Sequence, residues 1–404
     1  MGHDSHESYL SDTMTPLDGI TVLDLTRVLS GPYCTMMLAD MGARVIKIEQ
    51  PGKGDDTRAW GPPFLEGESA YFLSINRNKE SVTLDFKQPA GRRILDRLLA
   101  SADVLVENFR PGTLPKLGLD YATLAPKYPR LVYCSISGFG HTGPRHREAG
   151  YDAVMQGEGG LMSITGAADG PPFRLGVAIA DVVSGMFAAQ GVTAALLARE
   201  RTGRGQEVDI AMLDSVVALL SYQAGIYFAT GAAPQRMGNR HPTIVPYETF
   251  AASDGDFVIA VGNDDQWRRF CEVTGFEQHE RFATNRLRVV NYGELRPLLG
   301  AALKAQTRAD WIEKLKGAGV PCGSVRDLHE VFTDPQIAAR EMIAELDHLK
   351  AGALKLVGTP LKFSDTPAEI RTPPPTLGQH TEPILSTLGF TADEITAFRT
   401  ERVI

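Results

Sequence analysis

GITVLDLTRVLSGPYCTMMLADMGARVIKIEQP, residues 19–51, lays out a β-α-β unit. ITVLDL is a buried-strand run, SGPYCTMMLADMG a turn, a short helix and a Gly stop, and RVIKIE a second strand. The alternation continues with a strand in SVTLDF (81–86), a helix in PAGRRILDRLLASA (89–102), a strand in DVLVEN (103–108) and, after another helix, a strand in RLVYCSISGFG (130–140). Strands alternating with helices predict a parallel sheet covered on both faces. Residues 16 to about 140 therefore read as an open, doubly wound, Rossmann-like α/β sheet. Such sheets bind ligands at the carboxyl ends of their strands. Polar, Gly- and Pro-rich loops gather at those ends: LTRVLSGP, EQPGKGDDTR, ENFRPGTLPKLG and SGFGHTGP. They suit a phosphate-bearing ligand, and they also suit plain solvated connections.

Further along, RLGVAIADVVSGM (174–186) opens an apolar helix, and GQEVDIA a strand followed by a second apolar helix. Residues 231–250, rich in Gly and Pro, interrupt the pattern. The expected organisation is a mobile tail over 1–15, a large Rossmann-like domain over 16–230, a linker and small α+β domain over 231–335, and a segment over 336–404 that returns to the large domain.

The 404 residues carry a net charge of −8, which argues against a general nucleic-acid surface, since phosphate binding needs clustered Lys and Arg. Cys34, Cys134, Cys271 and Cys322 form no C-x-x-C pair, which suits a reducing compartment. The polar start is unlike a signal peptide, and no run approaches 18 uninterrupted apolar residues, so the expectation is a cytoplasmic protein without a membrane partner.

The first β-α turn lacks G-x-G-x-x-G, so Glu49 makes a poor ribose acid and a nicotinamide oxidoreductase is a weak alternative. There is no P-loop, no H-E-x-x-H around His329, no G-x-S-x-G elbow and no metal constellation among the nine histidines. Carboxylates remain. Asp181 stands among Ile179, Ala180, Val182 and Val183 at the start of a helix, where it can cap free N–H groups and stay ionised while its neighbours exclude water. An ionised, partly desolvated carboxylate is a competent nucleophile, although most N-terminal Asp residues are caps and nothing more.

The opening run through GDDTRAWGPPF (54–64), together with SINRNKES (74–81), ENFRPGTLPKLGLDY (107–121), YCSISGFGHTGP (133–144), AGYDAV (149–154), ADVVSGM (180–186), RTGRGQEVDIAMLDS (201–215) and PPPTLGQHT (373–381), resembles the class III CoA-transferases. The resemblance spans about residues 16–385 in order. GDDTRAWGPPF, GNRHPTIVPYETF (238–250) and RTPPPTLGQHT are similar to the branch that includes succinyl-CoA:glutarate CoA-transferase.

That resemblance implies an interlocked homodimer, no permanently bound cofactor, and an acyl-CoA and a carboxylic acid as substrates. It implies Asp181 as a nucleophile that passes through aspartyl anhydride and aspartyl-CoA thioester intermediates. It further implies CoA contacts from Val28, Leu29 and Ser30, from Leu84, Asp85, Phe86 and Lys87, from Asn108, Phe109 and Arg110, and from Lys116, where Arg is commoner. Related proteins have basic residues where Gln50 and Ala149 stand, and Arg77 and Lys79 are candidate substitutes. Acyl-CoA racemases of the family carry a His where Tyr151 precedes Asp152, so this pair is implied to play a supporting role in transfer. Asn239, Arg240 and His241 are candidates to hold a second carboxylate of the acceptor, and the similarity to the glutarate branch implies succinyl-CoA as donor and a C4 to C6 dicarboxylate as acceptor. The remaining alternatives are a racemase of the same family and a non-catalytic CoA-binding protein.

Overall fold

The computed structural model describes residues 14–404. The tail expected over 1–15 lies outside the described residues up to residue 13, and Thr15 is already buried. The chain divides into two compact units, one built from residues up to Gly160, Leu175–Ser221 and Gln336–Ile404, the other from Leu161–Arg174 and Tyr222–Pro335.

The first unit holds six parallel strands: β1 (Thr21–Asp24), β2 (Arg44–Glu49), β3 (Lys79–Thr83), β4 (Val104–Glu107), β5 (Val132–Ser137) and β6 (Glu207–Ala211). Their spatial order is β3-β2-β1-β4-β5-β6. The chain winds outward from β1 to β3 and then returns to β4, so the loops after β1 and β4 part at a crevice, where doubly wound sheets bind ligands. β1 and β4 are mostly apolar because both faces are covered, whereas β2 and β3 carry buried charges; Leu23 sits level with Ile46 of β2 and Leu105 of β4, all at or near zero exposure.

On one core, helix α2 (Pro89–Ala100, after α1, Ser30–Asp40) buries Ile94, Leu95, Leu98 and Leu99, and the late residues Ile384, Leu385 and Phe398 pack into the same cluster. Full burial of such side chains stabilises the fold by about 1.5–3 kcal/mol each. The segment after residue 336 is therefore part of this unit's core. Helices α3 (Asp152–Glu158), α4 (Ile179–Thr202) and α5 (Met212–Leu219) follow β5.

Helix α4 is long and apolar enough, by length and composition, to cross a membrane, but half of its most apolar window is buried in the fold, against α1, β5, β6 and α5. An inner helix touched on several sides is apolar all round for the same reason a membrane span is. The crossing with α1 depends on Gly185: a Cβ there would lie 2.6 Å from the Ser30 carbonyl oxygen and 3.2 Å from the Cys34 nitrogen.

The second unit is α+β. Strand Asp256–Ala260 pairs antiparallel with Tyr247–Ala251 on one side and Cys322–Ser324 on the other. Helices Asp264–Thr274, Tyr292–Leu303 and Arg308–Gly317 complete it, and Phe250, Phe257, Trp267, Phe270, Leu295 and Trp311 form its core.

Candidate active site

The crevice between β1 and β4 is fastened by one side chain. Asn108, just past β4, accepts from the Arg27 N–H at 2.9 Å and donates to the Arg27 carbonyl at 2.7 Å. The next residue, Val28, has φ +70°, a left-handed conformation that costs a β-branched side chain of order 1–3 kcal/mol. It is held there in part by Asp55, whose carboxylate accepts from the Val28 N–H at 3.2 Å.

Beside this loop lies a cavity of about 680 Å³, lined by Leu25, Ile48, Leu84, Phe86 and Phe109 among apolar groups and by Arg27, Lys87 and Arg402 among basic ones. Its floor is a layer of buried, paired charges. Lys47 Nζ meets Asp55 at 2.9 Å with neither side chain exposed. Glu49 fills all four acceptor positions: Asp55 N at 2.9 Å, Arg58 Nε and Nη2 at 2.7 Å each, and Ser81 Oγ at 2.6 Å. No oxygen is left for a ribose. Asp24 is likewise held by Thr26, Thr35 and Lys79, and despite burial its carboxyl is pulled down to about 2 by Lys47, Lys79 and the two hydroxyls.

A second, smaller cavity of about 160 Å³ shares Arg27 and Phe109 with the first and contains Asp181, Val28, Ser30, Asn108, Arg110, Ala149 and Tyr151. Asp181 is not the helix cap that its sequence position suggests. Ala178 is the N-cap of α4 and makes no side-chain cap bond; Asp181 lies in the first turn. Capping comes from another helix: Asp152 Oδ1 accepts from the Ala180 N–H at 2.9 Å, while its Oδ2 accepts from Gln156 Nε2 at 2.8 Å. Asp152 is delivered there by a contact between glycine backbones. A Cβ on Gly150 would lie 2.4 Å from the Gly138 Cα at the end of β5, so both positions exclude a side chain.

Burial, and then the negative charge of Asp152, push the Asp181 carboxyl up to about 7, against a downward pull from the Ser30 hydroxyl. The expected cap-stabilised, fully ionised carboxylate is therefore replaced by one balanced between its two forms near neutral pH, because desolvation and a like charge outweigh what the helix terminus offers. Val28, Leu29, Tyr71, Ala178 and Val182 pack around this corner. The Tyr71 phenol is pushed up to about 12, by burial first and then by Asp181 and Asp152, so it stays a hydroxyl donor.

A family model described as CoA-transferase family III matches residues 17–381. The chain belongs to CoA-transferase family III. It is similar to the succinyl-CoA:glutarate CoA-transferase of Mus musculus, 44% identical over 93% of this chain and 86% of that protein. It is also similar to the succinate–glutarate CoA-transferase of Agrobacterium fabrum (strain C58 / ATCC 33970), 44% identical over 92% of this chain and 96% of that one. The crystal structure of a CAIB/BAIF family protein from Brucella suis superposes with a TM-score of 0.83 at 44% identity, covering 93% of this chain and all of that one.

Within this CoA-transferase the residues named from sequence divide between the two cavities. Leu84, Asp85, Phe86 and Lys87 line the larger one, because β3 ends at Thr83 and the LDFK stretch is loop rather than strand. Val28, Ser30, Asn108, Arg110, Tyr151 and Asp181 line the smaller one, and Phe109 lines both. Leu29, Asp152 and Lys116 line neither: Leu29 is buried at the start of α1, Asp152 serves the backbone of α4, and Lys116 sits in the short turn Pro115–Leu117.

Arg77 and Lys79 are corrected outright as phosphate ligands. Arg77 is buried and binds Asp40 through Nε at 3.0 Å and Nη2 at 2.7 Å, with Nη1 on the Val357 carbonyl. Lys79 is fully buried on Asp24, Asn76 and the Pro32 carbonyl. Sequence could not separate such buried cations from surface ones.

Asn239, Arg240 and His241 belong to the second unit. There the Arg240 guanidinium lies 3.5 Å from the centre of the Tyr292 ring, and His241 stacks between Tyr222 and Tyr247 at 5.4 and 5.3 Å. Burial pulls the His241 imidazole below its ordinary value. Among the described residues no group of three His, Cys, Asp or Glu side chains could hold a metal ion. Sequence reasoning did not name the cavity residues Arg27 and Arg402, nor Tyr71, which packs beside Asp181. Arg27 adjoins the named loop and was within reach, whereas Tyr71 and Arg402 come from segments with no local signal.

Proposed function

We propose that this CoA-transferase moves coenzyme A from succinyl-CoA to a C4 to C6 dicarboxylate, with Asp181 as the group that carries the acyl and thioester linkages. The observation that carries the reading is a half-buried carboxylate, poised near pH 7, in a small cavity beside a nucleotide-sized one at the switch point of the sheet. The names of the mouse and Agrobacterium relatives support the choice of acids.

In the forward half-reaction the Asp181 carboxylate attacks the succinyl thioester carbonyl, and the carbon–sulfur bond breaks to release CoA thiolate and leave a mixed anhydride. The thiolate then attacks the aspartyl carbonyl, expelling succinate and leaving an aspartyl-CoA thioester. The acceptor carboxylate attacks that thioester, and the returning thiolate attacks the acceptor side of the second anhydride, freeing Asp181 and the new acyl-CoA. Ser30, which hydrogen-bonds Asp181, and Tyr71, whose hydroxyl feels the Asp181 charge, are the donors to oxygens that gain charge in this reading. Asp152 tunes the nucleophile and fixes the first turn that bears it, and Tyr151 forms part of the wall.

The functional form in this reading is an interlocked homodimer, supported by the exposed apolar side chains Met186 and Leu197 of α4 and Val217 of α5. It works in a reducing cytoplasm, which suits four free cysteines. The test is incubation with succinyl-CoA and a panel of carboxylic acids, reading new CoA thioesters by mass. A dicarboxylyl-CoA product that Asp181→Ala does not form supports the reading, and normal turnover by that variant overturns it.

A further inference from the structure

We propose that Arg402, with Lys87, is the clamp for the 3′-phosphate of coenzyme A. The inference rests on the CoA-transferase reading only for the identity of the ligand; the site itself is built from the larger cavity.

The thioester must reach Asp181 in the smaller cavity, so the nucleotide end of the ligand falls to the larger one. Arg27 and Phe109 line both cavities and mark the passage between them. Leu25, Ile48, Leu84, Phe86 and Ile404 give the larger cavity apolar walls fit for a purine ring. A ribose 3′-phosphate branches away from the pyrophosphate and the pantetheine arm. It needs cations that line only the larger cavity, which Arg27 does not.

Three basic residues line that cavity alone: Lys47, Lys87 and Arg402. Lys47 is fully buried and neutralised by Asp55. Lys87 and Arg402 have no ion-pair partner among the described residues, whereas Arg27 has Asp56 at 3.3 Å. Two cations without an ion pair, beside Asp85, whose carboxylate is taken up by the Lys87 N–H and Gln88 Nε2, suit a dianionic phosphomonoester, and Arg supplies a planar fork for it.

Both cations are held by one construction. The Asp85 N–H donates to the Val403 carbonyl at 2.7 Å, and Gln88 Nε2 donates to the Arg402 carbonyl at 3.2 Å, so the loop that carries Lys87 is tied to the segment that carries Arg402. Val403 is anchored in the main core with no exposure. Arg402 itself has φ +57°, a conformation that a non-glycine residue keeps only when its surroundings impose it. Gln50, which lines the same cavity, brings no charge, and Arg402 reaches the site from the far end of the sequence instead.

Direct binding tests this independently of turnover. The unaltered protein, Arg402→Gln and Arg402→Lys are titrated calorimetrically with CoA and with 3′-dephospho-CoA. The expected result is a preference for CoA on the order of tenfold in the unaltered protein, one charge-assisted contact in magnitude. Arg402→Gln removes most of that preference without changing the affinity for dephospho-CoA, and Arg402→Lys restores part of it. A preference that survives in Arg402→Gln, or equal weakening of both ligands, overturns the clamp; if transfer still proceeds, the proposed function stands. Absence of any CoA binding by the unaltered protein overturns both.

Discussion

Two cavities of the first unit, the one beside Arg402 and the one around Asp181, treat buried carboxylates in opposite ways. Beneath the larger one, Asp24, Glu49 and Asp55 each meet a buried cation and are held below the ordinary carboxylate range. Beside the smaller one, Asp181 meets another carboxylate and no ion-paired cation among the described residues, and its carboxyl rises to about 7. Burial alone does not make a carboxylate reactive. What separates a structural carboxylate from a chemical one here is whether its charge is answered.

Removing the unanswered carboxylate gives the largest effect. Asp181→Ala is expected to lower the rate of CoA transfer by at least about 10³-fold, since no other carboxylate lines the small cavity within the same first turn. Its isostere sharpens the contrast through stability. The folded-state pKa of Asp181 lies above its ordinary value of 3.8, so ionisation is disfavoured by folding, and stability is lost as pH rises from about 4 to about 7. Asp181→Asn escapes that loss: its melting temperature should exceed that of the parent at pH 8 by a few degrees, and the gain should vanish at pH 4.

An answered charge should behave in the reverse way. Lys47→Met leaves Asp55 buried without its partner, and urea unfolding should show a loss of about 3–5 kcal/mol. If that variant is as stable as the parent, the floor of the larger cavity is not the rigid base described above. Smaller is the effect of forcing α4 off α1. Gly185→Ala places a methyl against backbone atoms of Ser30 and Cys34 and should cost about 1–3 kcal/mol.

The smallest change acts on the like-charge pair itself. Asp152→Asn keeps an oxygen for the Ala180 N–H but removes the repulsion, so the Asp181 carboxyl should fall. The rising acid limb of the pH–rate profile for donor attack, expected near pH 7, should move to lower pH by up to about one unit. A limb that stays in place would assign the raised pKa to desolvation alone.

The succession of strands and helices along the chain was legible because β1, β2 and β4 are short, largely apolar runs between turn signals, and the motif loops at their carboxyl ends fell where a doubly wound sheet needs them. Asp181 was legible as a residue but not in its electrostatics. Its position suggested a cap, yet the cap comes from Asp152, 28 residues away, through a glycine–glycine contact that no local pattern records. Arg77 and Lys79 looked like free cations because their partners, Asp40 and Asp24, stand 37 and 55 residues off. Gly176 and Gly185 look alike in the sequence around Asp181, yet a Cβ on Gly176 would meet nothing within 4 Å while Gly185 makes room for α1.

The wedge of Gly185 against α1 also decides which part of the reaction moves. Asp181 has one methylene of reach and sits on the first turn of a 24-residue helix locked to its neighbour. In the reaction proposed above the covalent carrier is therefore stationary, a post rather than an arm. A space of about 160 Å³ opens beside Asp181. In that reaction the post stays in place while the acids and the CoA thiolate come and go, so the exchange of one acid for the other is the step that moves.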